Sequence, residues 1–153
     1  MKPEQPAPLK VLLAEDDSDD RFFFEKALKE IPITTHLTTV HDGEQLMNYL
    51  NEHSGDLADI LFLDLNMPRK TGLECLTEIK QSKKLKGLHV VTFSTFYARY
   101  INYERDIVSN LSEIGVHDNI RKPGDFEQLK EVIHHALIIA TEKKFLKEQE
   151  IKM

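Results

Sequence analysis

The fold is decided by the stretch Asp59-Ile60-Leu61-Phe62-Leu63-Asp64-Leu65-Asn66-Met67-Pro68. Its apolar run, Ile60 to Leu63, is short and bounded by acids, which is typical of a strand buried on both faces of a parallel sheet. Asp64 therefore stands at the carboxyl end of a strand. In parallel α/β sheets ligands bind at that edge, because the loops there form a crevice lined by helix N-termini. The simpler alternative for Asp64 is a solvated strand end or a helix cap.

Composition limits the class of protein. The chain has 153 residues, enough for one domain with a full core. Its formal charge of −6 argues against nucleic acid or an anionic membrane as the main partner. The sequence contains no apolar run of the ~20 residues that a membrane span needs. The single cysteine, Cys75, fits a reducing compartment and is expected to be inert, so we expect a cytoplasmic protein.

The rest of the chain repeats the alternation of strand and helix. Five strand segments alternate with helical segments, which predicts an α/β fold with a five-stranded, doubly wound parallel sheet and helices on both faces. The strands are expected at 9–14, 34–40, 60–63, 88–93 and 116–121, with one helix from about 98 to 114. We expect a disordered Pro-rich lead over 1–8, one domain over 9–146 and a frayed tail over 147–153.

Two helices carry more apolar residues than a core-facing stripe needs. Phe22, Phe23 and Phe24 cannot all face one side of a helix, so most are expected in the core and one ring near the surface for a partner. The run Leu137-Ile138-Ile139 suggests a homodimer that forms through the last helix. That helix is expected to be capped by Asp125.

Polar side chains stand at the carboxyl ends of four predicted strands. Because parallel strands end at the same edge of a sheet, these side chains should meet in one crevice. They are Glu15 and Asp16 after the first strand, Asp64 after the third, Ser94 after the fourth and Lys122 after the fifth. Taken alone, Lys122 would be an ordinary surface lysine and Ser94 a strand-end hydroxyl. The nearby acids Asp17, Asp19 and Asp20 are expected to be solvated or to cap the first helix, whose N-cap is expected at Ser18 or Asp19.

Three carboxylates brought close together repel each other, so a cation should neutralise them. Mg²⁺ suits this crevice because it binds one or two carboxylates, water and phosphate oxygens. Lys122 and the hydroxyl of Ser94 would then hold the oxygens of a phosphoryl group. Asp64 is the best candidate for the acceptor, since an aspartate can attack phosphorus and form an acyl phosphate.

These elements together match a known family. The segments Val11–Asp17, Leu63–Pro68, Phe93–Thr95 and Lys122-Pro123, together with Gly72, resemble the receiver domain of bacterial two-component response regulators over about residues 9 to 140. The resemblance implies a flavodoxin-like, CheY-like fold and a phosphorylation-dependent signalling switch. It implies a phosphoacceptor that assists its own phosphorylation and dephosphorylation, and not an enzyme in the ordinary sense.

The resemblance also implies a role for each matching residue. Asp64 would take a phosphoryl group from a sensor histidine kinase or a histidine phosphotransfer protein. Ser94 would hydrogen-bond that group and Lys122 would pair with it, and the Lys122-Pro123 peptide is often cis in this family. The ligands of Mg²⁺ would be the carboxylates of Glu15, Asp16 and Asp64 and the backbone carbonyl of Asn66.

Two departures from the family pattern leave alternatives open. Asn119 stands where a Tyr or Phe is usual, and the segment between Ser94 and Lys122 is longer than usual. A pseudo-receiver that binds a partner without a working switch therefore remains an alternative. A phosphohydrolase of the haloacid dehalogenase type is less favoured, because it needs a second Asp at the position of Asn66. Since the chain ends after the last helix, we expect output by contact with an unknown downstream protein or by a phosphorelay.

Overall fold

The structure is a computed structural model, and it describes residues 7–94 and 118–152. Side chains at 94, 118, 151 and 152 are outside that description. The predicted helix over 98–114, the lengthened segment around it and the start of the Pro-rich lead all lie outside the described residues. The fold is therefore built from the two described ranges.

Strands and helices alternate along the described residues. The strands are β1 (Leu9–Ala14), β2 (Thr35–Val40), β3 (Ile60–Asp64), β4 (Val90–Ser94) and β5 (Asp118–Arg121). The helices are α1 (Ser18–Glu30), α2 (Gly43–Glu52), α3 (Gly72–Gln81) and a C-terminal helix (Phe126–Lys152). All neighbouring strands are parallel in the order β2-β1-β3-β4-β5, which confirms the predicted sheet.

The sheet divides the core into two layers. Every residue of β3 is buried, as expected of a strand covered on both faces. Because side chains alternate along a strand, Leu61 and Leu63 pack on the side of α2 and α3, while Ile60 and Phe62 pack on the side of α1 and the C-terminal helix. Three helices contribute buried apolar residues to these layers. They are Leu46, Met47 and Leu50 of α2, Leu76 and Ile79 of α3, and Ile133, Ala136, Leu137 and Ala140 of the C-terminal helix.

The order of the strands determines at which point of the sheet edge the candidate site residues lie. The chain leaves β1 for β2 on one side and returns to β3 on the other, so a switch point lies between β1 and β3. Ala14 pairs with Leu63, which brings the residues after them, Glu15 and Asp64, to the same level. Asp64 pairs in turn with Phe93 of β4. The strand ends are therefore aligned at one edge.

Several predicted details at the helix ends are wrong. The N-cap of α1 is Asp17, whose side chain accepts a hydrogen bond of 2.9 Å from the backbone N–H of Asp20. The expected frayed tail, 147–153, is helical as far as Lys152, because its Lys, Glu, Gln and Ile residues are tolerated or favoured in helices.

The described residues contain no cis peptide bond, so Lys122-Pro123 is trans. A proline leaves only about 0.5–1 kcal/mol between the two isomers and does not by itself select cis.

The phenylalanines of α1 and the single cysteine differ in how deeply they are buried. Phe24 is buried, whereas Phe22 and Phe23 are 61% and 44% exposed, so more aromatic surface is exposed than predicted. Cys75 is buried, and burial raises the pKa of its thiol to about 12, which keeps it protonated and inert. Among the helices that the structure describes, none combines the length and the apolar content needed to cross a membrane.

Candidate phosphorylation site

Three carboxylates meet at the aligned strand ends. Glu15 and Asp16 follow β1, Asp64 ends β3, and one carboxylate oxygen from each lies within 4.8 Å of the others. Glu15 and Asp64 are buried, while Asp16 is exposed at the mouth of the crevice. The structure thus brings together the three acids that the sequence placed at this edge.

Backbone contacts fix the loop that follows Asp64. The N–H of Asn66 donates to Oδ1 of Asp64 at 3.0 Å, and the N–H of Gly72 donates to the carbonyl of Leu65 at 3.1 Å. A Cβ on Gly72 would lie 2.2 Å from the carbonyl oxygen of Asp64, a separation that real Cβ atoms do not show. Glycine is therefore required for α3 to begin against this strand end, and Asn66 stays exposed beside it.

Arg21 anchors the loop that carries the other two acids. Its Nη1 donates to the carbonyl oxygens of Glu15 and Asp16, both at 2.9 Å. The carboxylate of Glu15 also accepts a 3.5 Å hydrogen bond from the N–H of Asp17. Sequence reasoning did not identify Arg21, since its position on the first turn of α1 is equally typical of a surface residue.

Lys122 enters the crevice from the end of β5. Its Nζ hydrogen-bonds the carboxylate of Glu15, lies 2.9 Å from Oδ2 of Asp20 and 3.7 Å from Oδ2 of Asp64. The side chain of Lys122 is only 14% exposed. Asp20 was expected to be solvated or capping, but it is one of the partners of this lysine, a contact that sequence spacing does not reveal.

The two other residues singled out in the sequence are Ser94 and Asn119, which lie on the neighbouring strands β4 and β5. Ser94 is the last residue of β4 and pairs with Arg121 in the sheet, but its side chain lies outside the described residues. Asn119 is half-buried, and its Oδ1 accepts a 2.7 Å hydrogen bond from the hydroxyl of the buried Thr92, its partner in β4. The position where an aromatic ring is usual is thus part of a polar contact between two strands.

The crowding of charge shifts the pKa values at this site. Burial, together with a hydrogen bond and repulsion from Asp64, raises the pKa of Glu15 to about 9, although Lys122 acts to lower it. Desolvation and the same neighbour raise the pKa of Asp16. Burial alone would lower the pKa of Lys122, but Glu15, Asp64 and Asp20 outweigh it and raise that pKa. Negative charge therefore exceeds positive charge in the crevice.

The donor set suits a hard divalent cation. Three carboxylate oxygens lie within reach of one position, and carboxylates are ligands that Mg²⁺, Ca²⁺ and Mn²⁺ prefer. Burial and the nearby carboxylate of Asp64 raise the pKa values of Glu15 and Asp16, so their charged forms are disfavoured without a cation. A divalent cation would supply the missing positive charge.

Comparison with known proteins identifies the class to which this fold and site belong. The family model of the response regulator receiver domain matches residues 11–134, so the chain belongs to this family of signalling domains. Receiver domains interact with histidine kinases or phosphotransfer proteins, and the family binds Mg²⁺ or Mn²⁺ at an acidic site. The predicted family and its CheY-like fold are confirmed.

Individual relatives agree with this assignment. The chain is 28% identical to the probable methanogenesis regulatory protein FilR2 of Methanothrix harundinacea, over 82% of this chain and 79% of the relative. It is similar in structure to the phosphorylated cyanobacterial phytochrome response regulator RcpA, with a TM-score of 0.73, 30% identity and coverage of 85% and 91% of the two chains. The Mn²⁺-bound form of Rcp1, a response regulator of Synechocystis sp., gives a TM-score of 0.70, 30% identity and coverage of 84% and 91%.

The raised pKa of Glu15 predicts how stability depends on pH. Between pH 4.5 and about 9 the folded carboxyl retains a proton that the unfolded chain has released. The free energy of unfolding should therefore fall as pH rises through this window, by at most about 1.4 kcal/mol per pH unit from this group. Glu15→Gln should make the dependence flatter. Urea unfolding in EDTA across this pH range measures both slopes.

The matched control is Glu142→Gln, which changes an exposed glutamate of the C-terminal helix. It should keep the slope of the unaltered protein. Equal slopes for the unaltered protein and Glu15→Gln would contradict the assignment of this titration to Glu15.

Proposed function

We propose that the chain is a phosphorylation-dependent switch in which Asp64 accepts a phosphoryl group with the help of Mg²⁺. The observation that carries this proposal is the meeting of Asp64, two further carboxylates and Lys122 at the carboxyl edge of the central strands. Membership of the receiver family supports the same reading. The downstream output would be contact with another protein or onward transfer of the phosphoryl group.

The chemistry assigns a task to each group. A carboxylate oxygen of Asp64 would form a bond to phosphorus while the bond from phosphorus to the donor's imidazole nitrogen breaks and its electron pair leaves with that nitrogen. Lys122 would pair with a phosphoryl oxygen, and the hydroxyl of Ser94 would donate to another. Glu15, Asp16, Asp64 and the carbonyl of Asn66 would hold Mg²⁺, which supplies positive charge for the phosphoryl oxygens.

Two other functions remain distinguishable from this one. Asn119 accepts a hydrogen bond from Thr92 and has no aromatic ring that could turn inward. This observation favours a pseudo-receiver with an idle switch. Asn66 carries an amide where a haloacid-dehalogenase-type phosphohydrolase needs a carboxyl as general acid. An assay with phosphate esters that found many turnovers per protein would favour the phosphohydrolase.

We predict that acetyl phosphate with Mg²⁺ adds the mass of one phosphoryl group to the protein, and that Asp64→Asn and EDTA each abolish this adduct. The reason is that the asparagine amide cannot form the acyl phosphate, and that the metal is needed to offset the charge of the acids. Intact-mass spectrometry measures the adduct. Asp19→Asn, an exposed acid on α1, should behave as the unaltered protein. Absence of any adduct from the unaltered protein would favour the pseudo-receiver.

A surface beside the site suits docking of the phosphodonor. Phe22 and Phe23 are exposed on α1 and contact each other edge to face at 5.4 Å. Phe23 also lines a cavity of about 200 Å³ that reaches Glu15 and Lys122. Exposed aromatic rings are enriched at protein interfaces. A histidine kinase or phosphotransfer protein bound here would have its phosphohistidine close to Asp64.

We predict that Phe22→Ser with Phe23→Ser lowers the rate of phosphoryl transfer from a phosphorylated histidine donor protein by about tenfold, because aromatic anchors dominate such interfaces. Transfer from acetyl phosphate should not change, since that small donor needs no docking surface. Rates of adduct formation by the two donors measure this difference. Phe145→Ser removes a ring on the C-terminal helix that is 59% exposed, against 61% and 44% for Phe22 and Phe23, and should leave the ratio of the two rates unchanged. An equal loss with both donors would point to damage of the site itself.

The C-terminal helix supports the proposed homodimer. Ile138, Phe145 and Leu146 are 42%, 59% and 60% exposed, and their spacing of seven and eight residues places them on one face of the helix. An apolar face of this kind is stabilised by burial against a second copy.

We predict that the protein has a mass above that of the monomer in light scattering at high concentration, and that Ile138→Glu with Phe145→Glu restores the monomer, because a charge on each helix opposes burial of the face. Phe22→Ser should leave the mass unchanged, since Phe22 is exposed on a different helix. A monomeric mass for the unaltered protein at high concentration would contradict the proposed homodimer.

A further inference from the structure

Lys122 has hydrogen-bond partners in this structure other than the proposed phosphoacceptor. An ammonium group has three N–H donors. In this structure Lys122 directs hydrogen bonds to Glu15 and Asp20, whereas Oδ2 of Asp64 lies at 3.7 Å, close enough for an ion pair but beyond hydrogen-bond distance. The lysine proposed to hold the phosphoryl group therefore makes its hydrogen bonds to two acidic side chains other than the acceptor.

These two partners differ in their surroundings. The side chain of Glu15 is 4% exposed and belongs to the proposed metal site, so the metal would compete with Lys122 for it. The side chain of Asp20 is 46% exposed and lies outside the group of three metal-binding acids. Asp20 is thus the carboxylate that continues to compete for Lys122 when a phosphoryl group arrives on Asp64.

The position of Asp20 is fixed by its own helix. Its N–H donates to Oδ1 of the N-cap Asp17 at 2.9 Å. The next residue, Arg21, bonds the carbonyl oxygens of Glu15 and Asp16, which ties the first turn of α1 to the end of β1. The backbone of Asp20 is therefore fixed beside the crevice, and its carboxylate contacts Lys122 from that position.

We propose that Asp20 is a positioning residue that holds Lys122 back from Asp64 and so lowers the affinity of the site for a phosphoryl group. This proposal rests on the proposed function of Asp64. An ion pair with one half-exposed member contributes about 0.2–1 kcal/mol, so removal of the competing charge should raise the affinity roughly 1.4- to fivefold. Damage to the structure would have the opposite effect, since a distorted site binds more weakly.

The test is the affinity of the full chain for beryllofluoride, a phosphoryl analogue, measured by calorimetry with saturating Mg²⁺. Asp20→Asn should bind roughly 1.4- to fivefold more tightly than the unaltered protein. Asp20→Glu, which keeps a carboxylate, should return towards the original affinity. Asp19→Asn removes the same charge from the same helical turn without touching Lys122, and should leave the affinity unchanged.

A double-mutant cycle separates the action through Lys122 from a general effect of charge. In a Lys122→Gln background, Asp20→Asn should no longer change the affinity. An unchanged affinity of Asp20→Asn, an equal gain in Asp19→Asn, or a gain that persists without Lys122 would each overturn the inference. If the unaltered protein binds no beryllofluoride and forms no acyl phosphate, the proposed function fails, and that result is distinct from the three above.

Discussion

Repulsion among three carboxylates is the constraint on which the rest of the structure depends. Glu15, Asp16 and Asp64 lie within 4.8 Å of one another, and burial of the first and third denies them the screening of water. Lys122 offsets part of this charge, and burial, together with the proximity of Asp64, still raises the pKa of Glu15. The folded chain therefore holds a site that lowers the free energy of unfolding at neutral pH and that a bound cation would stabilise.

The scaffold around the site can hold these charges because it is rigid where they attach. The wholly buried β3 ends on Asp64, and two apolar layers pack against the faces of the sheet. Gly72 allows α3 to start against the same strand end, and Arg21 ties α1 to the end of β1. Each anchor acts through the backbone, so the acids keep their positions while their side chains change partners.

The sequence predicted the parts of this structure that follow from local pattern. The apolar run of β3 and the stripes on α2 and the C-terminal helix depend on periodicity, and the convergence of Glu15, Asp16 and Asp64 depends only on parallel strands ending at one edge. The contacts of Lys122 with Asp20 and of Thr92 with Asn119 were not predicted, because they join side chains distant in sequence that no periodic rule relates. The sequence predicted one exposed ring among Phe22, Phe23 and Phe24, whereas two are exposed, because neighbouring residues of a helix diverge and only Phe24 faces the core.

The excess of negative charge would give the proposed switch its physical basis. A phosphoryl group on Asp64 would replace one carboxylate charge with a more highly charged group, so the demand for Lys122 would increase at Asp64 and stay constant at Asp20. The lysine would then move from a half-exposed partner to a buried one, where an ion pair is stronger because water is excluded. Lys122 directly follows β5, which contains Asn119, and Asn119 is hydrogen-bonded to Thr92 in β4. Such a movement would therefore begin next to a pair of strands joined by a polar contact. The strength of that contact, and not the rotation of an aromatic ring, would then set how far the change at Asp64 spreads through the sheet.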